Sequence, residues 1–104
     1  MATGNINPAP ALFILAPVVG QVKVTVTGTA VQFPNNVLLN GVIITNNGTT
    51  NCFLGGSTVN NTGSGDGNGY ILAPGASCSA AIDNTNLLYV NGTGTTSFIS
   101  FIGS

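Results

Sequence analysis

Asn-Gly recurs at Asn40-Gly41, Asn47-Gly48, Asn68-Gly69 and Asn91-Gly92. Both residues tolerate positive φ, which a two-residue hairpin turn requires. Ala73-Pro74-Gly75 adds a turn of type II pattern, with Pro at its second position and Gly at its third. Between these turns the apolar residues alternate. In Val22-Lys23-Val24-Thr25-Val26-Thr27 the valines share one side and Lys23 and the threonines the other, as on a half-buried strand. Further strands are expected over 30–33, 37–45, 50–54, 57–60, 69–72, 77–83, 87–91 and 96–102. The last carries Phe98 and Phe101 on opposite faces, so both of its faces need cover. Asn40-Gly41 interrupts an apolar run and reads as a tight hairpin or a bulge. No segment sustains a helical repeat. About eight short strands with turns at this spacing predict an all-β, antiparallel sandwich or barrel.

The chain has 104 residues, 43% of them apolar, enough for one domain with its own core. Only 3% are charged, against about 25% in an average domain. Lys23, Asp66 and Asp83 are the whole ionised inventory, and His, Arg, Glu and Trp are absent. One Lys cannot neutralise a row of phosphates, so neither nucleic acid nor an anionic membrane is an expected partner. General acid–base chemistry needs a proton carrier within reach of a substrate. Asp83 ends an expected strand and reads as a turn residue, and Asp66 lies in the Gly-rich segment 60–69, so the two make a poor catalytic pair. No enzyme activity, cofactor or metal is expected. With little charge repulsion between copies, such a surface suits life inside an assembly.

The segment 60–69, Asn-Asn-Thr-Gly-Ser-Gly-Asp-Gly-Asn-Gly, offers no apolar anchor and reads as a mobile loop or a long hairpin tip. It lacks the dinucleotide fingerprint and the Walker lysine of a phosphate loop. Asp66 alone cannot supply the several carboxylates that calcium prefers. Cys52 and Cys78 have no His with which to build a zinc site or an activated nucleophile. They read as buried free thiols. The alternative is a Cys52–Cys78 disulfide formed after release from the cell, worth about 3 kcal/mol for a loop of that length.

Residues 1–19 differ from the rest. Pro8, Pro10 and Pro17 bracket the apolar stretch Leu12, Phe13, Ile14 and Leu15. Proline removes a ladder donor and holds the preceding residue extended. The expected organisation is an extended N-terminal arm over 1–19 and a β-sandwich over 20–104, with Leu12, Phe13, Ile14 and Leu15 as partner-contact residues. An ordinary first strand is the plainer reading of the same stretch. The apolar run is too short for a membrane helix. No basic segment precedes it as in a secretory signal, so synthesis in the cytoplasm is expected.

The stretches Phe53-Leu54-Gly55-Gly56-Ser57-Thr58-Val59, Gly69-Tyr70-Ile71-Leu72-Ala73-Pro74-Gly75 and Ile82-Asp83-Asn84-Thr85-Asn86-Leu87-Leu88-Tyr89-Val90-Asn91-Gly92 resemble small structural proteins of tailed bacteriophages. The resemblance covers about residues 40 to 104. It implies a jelly-roll-like domain on a virion, in the manner of capsid decoration (cement) proteins, commonly trimers on the outer capsid surface. The partner so implied is the major capsid protein. The expected function is to bind the outer shell and cement neighbouring capsid subunits. The alternative is a receptor- or glycan-binding module of a phage fibre or tail.

Overall fold

The computed structural model describes residues 16–104. Leu12, Phe13, Ile14 and Leu15 lie outside the described residues. Eight strands form: β1 (Val18–Lys23), β2 (Val31–Gln32), β3 (Val42–Asn46), β4 (Cys52–Gly55), β5 (Tyr70–Leu72), β6 (Ser77–Ala80), β7 (Tyr89–Asn91) and β8 (Phe98–Gly103). They make two antiparallel four-stranded sheets, in the orders β1-β8-β3-β6 and β2-β7-β4-β5. The all-β sandwich expected from the alternation is therefore present. Among the described residues no helix is long and apolar enough to cross a membrane.

The pairing is nested. β1 pairs with β8, β2 with β7, β3 with β6 and β4 with β5. The chain is thus a double ribbon with its bend between β4 and β5, and it rolls so that each sheet takes alternate pairs. The β3–β8 and β4–β7 ladders close the two sheets.

Inward side chains of both sheets supply the core. Val22, Ile44, Ile99 and Phe101 from one sheet meet Cys52, Leu54, Leu72 and Val90 from the other, with Val24, Phe33 and Leu38 filling from the connections. Each such side chain, fully buried, contributes about 1.5–3 kcal/mol. The Phe33 and Phe101 rings lie 5.6 Å apart, tilted by 34°, and join the two sheets.

Several local expectations change. Val18 and Val19 belong to β1, so the sheet begins directly after Pro17 rather than at Gly20. A proline just ahead of a strand withholds no ladder hydrogen bond. Val24 is still buried, but Val26 is exposed where the chain turns towards β2, its carbonyl accepting from the Thr29 N–H at 3.0 Å. The expected strand over 37–45 shortens to β3. Asn40-Gly41 is neither hairpin nor bulge: the N–H groups of Leu39 and Asn40 both donate to the Ser104 carbonyl, and the chain then enters β3. Residues 57–60 form no strand.

Ala73-Pro74-Gly75 is the expected type II turn. Gly75 has φ +80° and the Ala76 N–H donates to the Ala73 carbonyl at 2.9 Å.

Candidate interaction surface

The two outer faces of the sandwich differ. On the β2-β7-β4-β5 side, Phe53 points away from the core but is buried. The β4–β5 connection folds over it: a Cβ on Gly63 would lie 3.9 Å from the Phe53 ring, and one on Gly69 3.0 Å from its Cβ. Val59 of the same connection is buried.

Amide side chains fix this loop. Asn68 accepts from the Asn60 N–H at 2.9 Å and donates to the Thr58 carbonyl at 3.0 Å. Asn60 donates to the Asp66 carbonyl, and Asn61 to the Gly92 carbonyl. Asn91 reaches up from β7 to donate to the carbonyls of Gly28 and Val59 at 3.0 and 2.9 Å. The Gly-rich segment is thus the tip of a long hairpin. Asn amides supply the anchors that its missing apolar side chains do not.

The outer face of β1-β8-β3-β6 has no such cover among the described residues. Its side chains fall into rows set by the ladder register. Val19, Ile102, Ile43 and Ser79 are successive partners across all four strands. Val19 is 68%, Ile102 50% and Ile43 51% exposed. Gln21, Ser100, Thr45 and Ser77 form the next row. Thr45 and Ser77 share a 2.6 Å hydroxyl hydrogen bond, and the Asn47 amide donates to Ser100. Lys23 and Phe98 pair beyond them. One β-branched apolar row therefore lies beside one neutral polar row, and Lys23 is the only ionised side chain on the face.

A groove of about 480 Å³ runs along Ile102 and Ile43 of this row, with Pro17 on one flank and Ala80 and Ala81 on the other. A second groove adjoins it past Asn40 and Gly41 and carries the exposed Leu39 and Leu87 with Asp83. A third opening, about 320 Å³, lies between the sheets at their β5 and β6 edges, lined by Ile44, Leu54, Tyr70, Cys78 and Leu88.

Cys52 and Cys78 are both free. They sit on opposite sheets, Cys52 fully buried on β4 and Cys78 half-buried on β6 at the edge opening. Burial pushes the Cys52 thiol up to about 11 from an ordinary 9.0 and raises Cys78 in the same direction. High pKa values and low access make poor nucleophiles.

The linkage has a definite sign. As pH rises from about 9 to about 11, the unfolded thiol loses its proton while folded Cys52 keeps it, so stability falls across that window. Urea midpoints between pH 8 and 10.5 are expected to fall less steeply in Cys52→Ala than in the parent. Parallel slopes would remove Cys52 as a cause.

Among the described residues no group of three or more His, Cys, Asp or Glu side chains gathers. Asp83 lies at the second groove and its carbonyl accepts from the Leu38 N–H at 2.8 Å, whereas Asp66 is on the exposed hairpin tip. The structure does not bring these two acids to one site. This sheet face escaped sequence reading because two of its three aligned apolar side chains, Val19 and Ile102, come from opposite ends of the described chain. Only the β1–β8 register puts them together. Comparison with protein-family models, curated proteins and solved structures finds no match to this chain.

Proposed function

We propose that this protein is a non-enzymatic structural protein of a bacteriophage particle that binds the outer capsid surface and cements neighbouring capsid subunits. The outer face of β1-β8-β3-β6, bare among the described residues, is the observation that carries the reading. It joins an exposed apolar row to a row of neutral hydrogen-bonding side chains, with a single ionised residue at its margin. Such a face favours close, shape-matched contact over ionic steering.

The nested pairing of β1 with β8 through β4 with β5 supports the same reading. A jelly roll, an architecture used by viral capsid, lectin and cupin domains, would pair its strands in this order. Architecture alone assigns no function, so the face bears the weight. Leu12, Phe13, Ile14 and Leu15 supply a second contact in this proposal, and a trimer would multiply weak contacts through avidity. The major capsid protein is the partner.

Purified protein added to undecorated particles should saturate regular sites on the shell, seen by cryo-electron microscopy. Ile43→Lys with Ile102→Lys should weaken that binding by about a hundredfold. Losing two apolar contacts costs a few kcal/mol, and two lysines bring charge into the contact. Unchanged occupancy, or copies only at a tail vertex, would defeat the cement reading. Binding to a glycan array instead would identify a fibre-type recognition module.

A further inference from the structure

We propose that, in the free protein, the apolar row Val19–Ile102–Ile43 is covered by the segment Leu12–Leu15 of the same chain. The groove along that row has Pro17 in its own wall. The chain before Pro17 therefore meets the groove at its rim, on the β1 side, and Ala16 is held extended by the proline that follows it.

The reach fits. Strands lie about 4.8 Å apart, so β1 and β6 are separated by three spacings, or about 14 Å. Five extended residues, 12 to 16, span about 16 Å. A segment leaving Pro17 across the strands passes Ile102 and Ile43 in turn and ends near Ala80 and Ala81 on the far flank.

The chemistry fits as well. Ala11-Leu12-Phe13-Ile14-Leu15-Ala16 carries no polar side chain, and no ionised side chain lines the groove. Asp83 belongs to the neighbouring groove beyond Asn40 and Gly41.

Size selects a single segment over a second folded copy. A specific interface between globular partners buries about 800 Å² on each side. A row three side chains long and one wide falls well below that, and has the footprint of one extended strand. The opposite face sets the precedent within the molecule, since Phe53 there is covered by the chain's own β4–β5 loop. A tethered segment also acts at high effective concentration. An arm and a face that cover one another would keep the free protein soluble and release two apolar surfaces together on docking. The self-covered state does not depend on which particle the protein joins.

Limited digestion of the intact protein with chymotrypsin tests it, because Leu12, Phe13 and Leu15 are cleavage sites. Ile43→Asp with Ile102→Asp alters two half-exposed side chains outside the core, so the fold should be kept, checked by the urea midpoint. Cleavage within residues 12–15 is expected at least tenfold faster in this variant than in the parent, at equal rates for any site in the domain. Equal rates at Phe13 in both proteins would overturn the proposal. Protection that fades on dilution, with a larger species in sedimentation, would overturn it too, by assigning the groove to a neighbouring copy's arm. Should the double variant be unstable, Ile102→Asp alone, at a residue that lines the groove, makes the same comparison.

Discussion

Asn46→Asp is expected to destabilise the protein by about 3–5 kcal/mol at pH 7, a large share of the 5–15 kcal/mol that holds a domain of this kind together. Asn46 ends β3 and is fully buried. Its amide nitrogen donates to the carbonyls of Thr50 at 2.9 Å and Leu72 at 2.7 Å, and its amide oxygen accepts from the Gly48 N–H at 2.8 Å. Its backbone is also used, donating to the Ala76 carbonyl and accepting from the Gly75 N–H. One residue thus joins the end of β3, the crossover to β4, the end of β5 and the type II turn.

Aspartate keeps the shape and loses both donors. Ionised, it faces two carbonyl oxygens; protonated, it can satisfy only one of them. Burial therefore raises its pKa, and the folded state holds a proton that the unfolded state releases above about pH 4. Stability of the variant should fall as pH rises from about 4 towards neutral. Asn46→Ala should show a loss of similar size without that pH dependence. Urea unfolding at pH 4 and pH 7 separates the two. A loss under 1 kcal/mol in both variants would mean that the amide is no joint.

Asn46 was legible in principle. It continues the inward alternation Val42, Ile44, Asn46, so a period-two strand places it in the core, although Asn47-Gly48 draws attention to a turn instead. Asn91 was not legible. Val90 points inward and Asn91 outward, and Asn91 is buried only because the β4–β5 loop closes above it. No local pattern encodes that cover.

The same limit explains the Asn-Gly sites. Of the four Asn-Gly glycines only Gly41 has positive φ, and none of the asparagines does, so none of these pairs forms the expected two-residue hairpin turn; nor does turn chemistry say which sheet the next strand joins. Among the described residues only β4–β5 is a sequential hairpin, and each of the other six connections leads to the other sheet. Long-range pairing decides this, and the first strand must await the last before its register exists. Period two, by contrast, is local, and it located most strands and the opposite facing of Phe98 and Phe101. The bare face combines both cases, since the exposure of each side chain follows from alternation while their alignment follows from the ladders.

Gly20→Ala should destabilise the parent by about 1–3 kcal/mol and stabilise a Phe101→Leu variant by about 0.5–1 kcal/mol. Gly20 on β1 is the ladder partner of Phe101 on β8. A Cβ at Gly20 would stand 2.6 Å from Phe101 Cζ and 3.0 Å from its Cε2. The ring thus lies over the glycine, an arrangement that covers a bare stretch of strand backbone. It has nowhere to retreat, because Phe101 is only 2% exposed and packs against Phe33. In the parent, overpacking outweighs the ordinary gain from replacing a glycine inside a strand. Leucine at 101 is shorter than phenylalanine and clears the space above residue 20. The steric term then disappears and the conformational gain remains. Phe101→Leu itself loses packing across both sheets and lowers stability, while Phe101→Ala, at about 3–5 kcal/mol, risks unfolding the protein and is the poorer background. A double-mutant cycle by chemical denaturation reads the coupling directly. Equal losses from Gly20→Ala in the two backgrounds would show that the glycine serves the β1 backbone rather than the ring above it.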